Sequence, residues 1–151
     1  MPSASLKTPL GALCVTEEHG AITSLAWHDA FVQDDTPLLR RALEQLSDYF
    51  AGDLTEFDLP TRVAGSAFQR EVCAAIAAIP HGETRSYGDL ARALKAPAQA
   101  IGTGCGGNPI PIIIPCHRVL GTSGLGGFSG KGGVETKVWL LRHEGAGGLL
   151  I

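Results

Sequence analysis

The run from Asn108 to Arg118, Asn-Pro-Ile-Pro-Ile-Ile-Ile-Pro-Cys-His-Arg, limits what this chain can fold into more than any other stretch. Pro109, Pro111 and Pro115 fix φ and remove backbone donors, so neither a helix interior nor a central sheet strand can pass through them. The four isoleucines between them are too apolar to leave in water. The segment therefore reads as a buried, extended approach that delivers Cys116, His117 and Arg118 to one place. A thiol needs help to attack carbon, because the thiolate is the nucleophile and a free cysteine is mostly protonated at neutral pH. His117 is the local base and Arg118 adds positive potential. Neighbouring side chains on extended backbone point to opposite faces, so the expected link between thiol and imidazole is a bridging water.

Upstream, Leu10 to Val15 and Ile22 to Trp27 read as two short strands joined by a polar turn. Thr36 caps a helix with Pro37 as its first residue. Leu39, Leu43, Leu46 and Phe50 recur at helical spacing until Gly52 stops it. The acidic stretch from Gly52 to Gly65 suits a linker. A second helix opens on the capping-box pattern Ser66-Ala67-Phe68-Gln69 and carries Phe68, Val72, Ile76 and Ile79 to Pro80. Ser86 caps a short helix to Leu94, and another follows from Pro97 to about Cys105, the length and connection of a helix-turn-helix. Ala98, Ala100, Gly102, Thr103 and Gly104 make that last helix slim. Its backbone fits equally a narrow groove or a tightly packed core. After a glycine-rich loop from Gly121 to Gly133, a final helix runs from Val134 to Glu144 and ends at Gly145.

The fold class is mixed α/β of the α+β kind. A small sheet-plus-helix domain over residues 1–61 precedes a mainly helical domain over residues 62–151 that holds a helix-turn-helix of winged-helix type. The net charge of −3 hides a division: residues 1–61 carry three bases against ten acids, a net −7, and residues 62–151 nine bases against five acids, a net +4. The second part permits weak, salt-sensitive contact with phosphate. No apolar run approaches the ~20 residues of a membrane span, and the N-terminus has no signal-like core, which places the chain in the cytoplasm, near the nucleoid if DNA is its partner. Cys14, Cys73, Cys105 and Cys116 lack the C-x-x-C spacing of zinc or redox sites and read as reduced thiols, so no metal and no cofactor are expected.

Gly107-Asn108-Pro109-Ile110-Pro111-Ile112-Ile113-Ile114-Pro115-Cys116-His117-Arg118-Val119 closely resembles the signature of the O6-alkylguanine-DNA alkyltransferases. The likeness extends through Phe68-Gln69, Ile79-Pro80-His81-Gly82-Glu83, Ser86-Tyr87 and Trp139-Leu140-Leu141-Arg142-His143-Glu144-Gly145, and only the N-terminal third is diffuse. The resemblance implies a monomeric suicide enzyme that flips O6-alkylguanine, or O4-alkylthymine, out of DNA and takes its alkyl group irreversibly on Cys116. It implies that His117 relays the thiol proton through water, that Glu144 orients the imidazole and that Asn108 braces the site. Tyr87 would crowd the phosphate and donate a proton to the purine. Ser129 and the Val119 carbonyl would hold the base, with Phe128 beside the alkyl pocket and Arg118 at the DNA face. The helix carrying Ala98, Gln99, Ala100, Gly102 and Thr103 would enter the minor groove.

Three positions depart from the family pattern. Gln99 stands where an arginine usually fills the gap left by the extruded base, which puts duplex repair in doubt. Phe128 replaces a tyrosine, and Cys73 a core tryptophan. Cys14, His19 and His28 do not reproduce the zinc ligands some relatives carry. Two other readings are a non-catalytic damage-binding protein and a turnover cysteine hydrolase built on Cys116, His117 and Glu144.

Overall fold

The computed structural model describes residues 1–121, 124–128 and 130–146, and the chain divides into two compact units, Met1–Arg62 and Val63–Ile151. The mixed α/β class is borne out.

The first unit is a three-stranded antiparallel sheet, β1 (Ser3–Thr8), β2 (Gly11–Glu18) and β3 (Ala21–Trp27), with one helix, α1 (Pro37–Ala51), lying against β1 and β2. The sequence gives away β2 and β3 but not β1, whose SASLKT stretch holds only Ala4 and Leu6 as apolar side chains. Pairing in register with β2, from Ser3 opposite Thr16 to Thr8 opposite Gly11, makes it a strand. Helix α1 starts and stops as its sequence dictates. The Thr36 hydroxyl accepts from the Leu39 amide, and Gly52 closes the helix in the left-handed region at φ 85°. Its buried face is Leu39, Ala42, Leu46 and Tyr49, so the expected face through Leu43 and Phe50 is rotated by one position. The residues after it are not all free linker: Thr61 bridges Ile22, and the Asp58 backbone is held by Gln45.

The second unit is helical. Helix α2 (Ala67–Ala77) buries Val72, Cys73 and Ile76. Its cap is half a box: Ser66 accepts from the Gln69 amide, but the Gln69 side chain donates to the Gly104 carbonyl at 2.8 Å. A two-residue strand β4 (Arg85–Ser86) pairs in parallel with β5 (Val119–Leu120) and leads into α3 (Tyr87–Leu94). There the capping box is complete, with Ser86 and Asp89 each accepting from the other's amide. Lys95, left-handed at φ 55°, turns the chain into α4 (Ala98–Gly106). Helix α4 packs one face tightly and leaves the other exposed. Gly104 sits so close to α2 that a Cβ there would meet both Val72 methyls at 2.9 Å, whereas Ala98, Gln99 and Thr103 are exposed. Helix α5 (Val134–His143) packs against the turn that holds Cys116.

Candidate active site

The proline-rich approach to Cys116 is buried as expected but is not extended. Ile110 accepts from Ile114 at 2.9 Å and Pro111 bridges Ile114, which folds the run into a tight loop. Ile112, only 1% exposed, lies in the left-handed region at φ 72°. A β-branched residue held there costs on the order of 1–3 kcal/mol, so its surroundings must overdetermine it. Asn108 does much of this. Its amide donates to the Ile114 carbonyl at 2.8 Å and its carbonyl oxygen accepts from the Ile110 amide at 3.0 Å. Prolines exclude a helix and a central strand, and a loop closed by a side chain satisfies them as well as an extended strand does.

The loop ends in a 3-10 turn, Cys116–Arg118, in place of the extended backbone the sequence suggests. The turn buries all three side chains. His117 Nε2 lies 2.7 Å from the Glu144 carboxylate at the end of α5, and the imidazole is fully enclosed. Burial holds His117 below its ordinary value against the pull of Glu144, so the ring is neutral. If Nε2 carries the proton toward Glu144, Nδ1 is the basic nitrogen, and among the described residues it is buried with no protein partner.

Arg118 has to be moved from the DNA face to the interior. Its Nε and Nη2 donate to Glu144 at 2.8 and 3.0 Å and its Nη1 donates to the Ile79 carbonyl at 2.6 Å. Arg118, only 6% exposed and paired in this way, is buried too deeply to meet phosphate, and Glu144 neutralises its charge. The charge near Cys116 comes from Lys137 on α5, which the sequence reading passes over. Its ammonium is wholly enclosed, donates to the Val119 carbonyl at 2.6 Å and the Gly127 carbonyl at 3.0 Å, and lies 5.9 Å from the centroid of the Tyr87 ring. Burial brings Lys137 down to about 8, opposed by thiolate charge on Cys116 and Cys105. The signal that would have found it is spacing: Lys137, Leu140, Leu141 and Glu144 fall at i, i+3, i+4 and i+7, so the lysine shares the inward face of α5.

A cavity of about 380 Å³ opens beside the thiol, lined by Tyr87, Gly102, Cys105, Gly106, Cys116, Gly127 and Phe128. Burial pushes Cys116 up, with a hydrogen bond from Asn108 and the charge of Lys137 pulling the other way. The resting group is thus a thiol, ionised on demand. Burial and the thiolate charges of Cys105 and Cys116 also raise Tyr87, which keeps its phenol protonated and able to donate. The structure brings Cys116, His117, Glu144, Asn108, Tyr87 and Phe128 together, with Gly102 of α4 on the cavity wall. Ala98, Gln99 and Thr103 lie on the exposed side of α4 and Ala100 is half-buried. The Val119 carbonyl is already engaged by Lys137. Ser129 lies outside the described residues. Cys105, Gly106 and Gly127 are cavity residues that sequence reasoning did not single out. No three His, Cys, Asp or Glu side chains among the described residues converge to hold a metal.

Residues 67–146 match the DNA binding domain of the 6-O-methylguanine DNA methyltransferases, and residues 1–63 match the ribonuclease-like domain of the same proteins. The methylated-DNA--protein-cysteine methyltransferase of Mycolicibacterium paratuberculosis is 41% identical over 93% of this chain and 90% of its own length. The protein of that name from Salmonella typhimurium is 40% identical over 93% of each. The crystal structure of Mycobacterium tuberculosis OGT in complex with DNA superposes with a TM-score of 0.85 at 40% identity, covering 95% of this chain and 92% of that one.

Proposed function

Because the chain belongs to the 6-O-methylguanine DNA methyltransferase family and so reverses DNA alkylation by moving the alkyl group onto a cysteine of its own, we propose that Cys116 is the acceptor and that the residues around it drive the transfer. The observation that carries this reading is one thiol placed between two kinds of help. Neutral His117, held by the Glu144 carboxylate, follows it in the same buried turn, and a cavity walled by a protonated tyrosine opens beside it.

The alkyl carbon on O6 of guanine is inside the stacked duplex, so the nucleotide is turned out into the cavity before reaction. The Cys116 proton passes through a water to His117 Nδ1. Glu144 holds the imidazole and stabilises the imidazolium that forms, while Lys137 favours the thiolate. Sulfur attacks the alkyl carbon in line, the carbon–O6 bond breaks, and its electron pair goes to the purine. Tyr87 meets that charge with its phenolic proton. The proton left on the His117 imidazolium then returns to Tyr87 through solvent, so a thiol and an alkylated guanine are exchanged for a thioether and a guanine, with Tyr87 and His117 restored. The thioether has no good leaving group, so each molecule acts once. Alpha-4 presents its exposed face, Ala98, Gln99 and Thr103, to the minor groove, and the protein acts as a monomer on the DNA of the cytoplasm. The 1–61 part serves as a separate domain from 62–151. Neither the binding-only nor the hydrolase reading is favoured by the relatives.

The test is the intact mass of the protein after exposure to an oligonucleotide containing O6-methylguanine. One added methyl, mapped to the Cys116 peptide and absent from Cys116→Ser, is expected. Continued demethylation by Cys116→Ser would overturn the assignment. Gln99→Arg is expected to speed transfer from duplex but not from single-stranded substrate, because the longer, charged side chain fills the gap better. Equal rates on duplex for both proteins would remove Gln99 from the account.

A further inference from the structure

The cavity in front of Cys116 has a second thiol on its wall that alkyl transfer does not use. Cys105, in the last turn of α4, lines the same cavity, and each of the two is only 6% exposed. A third thiol, Cys73 of α2, is near enough for its charge to bear on both, but Gln69 donates to its sulfur at 3.4 Å and it is not on the cavity wall. With so little of either cavity thiol at the surface, a small reagent can reach them where a second protein cannot. An oxidant entering the cavity meets Cys116 with Cys105 beside it.

We propose that Cys105 and Cys116 form a reversible redox pair, in which hydrogen peroxide closes the acceptor site as an internal disulfide and a small thiol such as glutathione reopens it. The Cys116 thiolate attacks the peroxide O–O bond, giving a sulfenic acid and hydroxide. The Cys105 thiolate then displaces hydroxide from that sulfur, and the sulfur–sulfur bond forms. In total two thiols are oxidised and one peroxide is reduced to two waters. Burial first, and the thiolate charge of Cys116 second, hold the proton on Cys105, at about 12, while Lys137 acts in the opposite sense. Sulfenic acid is neutral, so once Cys116 is oxidised no thiolate charge on it opposes ionisation of Cys105, while Lys137 still favours that ionisation. Without this neighbour the sulfenic acid would go on to sulfinic acid, which thiols do not reverse. For a protein that acts once, the pair would preserve unused molecules through an oxidative episode. That consequence rests on Cys116 being the acceptor, although the disulfide itself does not.

The experiment treats the reduced full-length protein with a small excess of hydrogen peroxide, blocks remaining thiols with N-ethylmaleimide, and maps peptides without reduction. A Cys105–Cys116 linked peptide is expected, with Cys73 still carrying maleimide and with alkyl-accepting capacity restored by dithiothreitol. In Cys105→Ser the dithiothreitol-recoverable fraction, measured against that variant's own unoxidised capacity, should be lost and Cys116 should appear as sulfinic acid. Cys73→Ser should retain the linked peptide. The proposal is overturned if Cys105 of the wild-type protein is recovered blocked by maleimide, if it is linked to Cys73, or if Cys105→Ser recovers as fully as the wild type. Because the linked peptide is read by mass, its formation in a protein that takes up no methyl group would refute the acceptor assignment and leave the redox pair standing.

Discussion

Replacing Glu144 by glutamine tests both the packing and the chemistry of the site. The carboxylate has no exposed side-chain surface and lies against three nitrogens, His117 Nε2, Arg118 Nε and Arg118 Nη2, at 2.7 to 3.0 Å. Glutamine offers one carbonyl oxygen where two oxygens stood, and its amide group must point a donor at another donor. At least one buried N–H then loses its acceptor, at a cost of about 1–3 kcal/mol. The larger loss is the negative charge. Breaking a buried ion pair by removing one partner costs about 3–5 kcal/mol, since the remaining charge is left uncompensated. Against a total stability of roughly 5–15 kcal/mol this is a large share. With a urea m-value of about 2 kcal/mol/M, the midpoint should fall by roughly 2 M. The chain has two tryptophans, Trp27 in the first unit and Trp139 in the second, so fluorescence in a Trp27→Phe background follows the unit that contains the site. The double variant Arg118→Met/Glu144→Leu should be less destabilised than Glu144→Gln alone, because an apolar pair replaces the ions without stranding the guanidinium. Alkyl transfer by Glu144→Gln should slow by up to about 10⁴, because the base, His117, loses the carboxylate that fixes its tautomer and stabilises its imidazolium. If Glu144→Gln lowers stability by less than about 1 kcal/mol, as loss of an exposed ion pair would, the argument for this network is wrong.

Burial depresses His117, so the unfolded chain takes up a proton before the folded one does. Its contribution is fully present above the ordinary histidine value of 6.5 and drains away as pH falls below it, so urea midpoints should decline on acidification below 6.5, and less so in His117→Gln. Lys137→Met removes the cation that favours the Cys116 thiolate; iodoacetamide labelling of Cys116 near neutral pH should slow, and unchanged labelling would take the lysine out of the mechanism. Gly126→Ala would place a Cβ 2.9 Å from Tyr87 Cε2 at a glycine with φ 73°, so methyl transfer should fall while denaturation followed by Trp139 moves by only about 1–3 kcal/mol.

How far the sequence announces this site depends on what kind of constraint each residue obeys. Local rules were legible. Thr36 and Gly52 bound α1, and Ser86 and Asp89 cap α3, because hydrogen bonds to nearby amides and a left-handed glycine are properties of a few neighbouring residues. The Cys116–His117 pair and its Glu144 were found through motif likeness, and the geometry unites them. What stayed hidden was set by partners distant in sequence. Strand β1 owes its existence to pairing with β2, and Gln69 leaves the capping box for a carbonyl 35 residues away. The prolines around Ile112 ruled out helix and central strand without choosing between an extended segment and a loop pinned by Asn108.

Arg118 and Lys137 show why charge alone misleads. Both are cations close to the thiol in the fold, and the sequence invites the one next to Cys116 in the chain to supply the field. The 3-10 turn carries Arg118 into the interior, where Glu144 neutralises it and the Ile79 carbonyl accepts a third hydrogen bond. Lys137, distant in the chain but on the inward stripe of α5, faces Tyr87 and two carbonyls that carry no full charge, so its field reaches the cavity uncancelled. Helix α5 therefore turns the carboxylate of Glu144 to the turn and the ammonium of Lys137 toward Tyr87 from a single face. Reversing that assignment is a direct test: in Arg118→Met the reactivity of Cys116 should change far less than in Lys137→Met, even though Arg118 is the cation nearer to it in sequence.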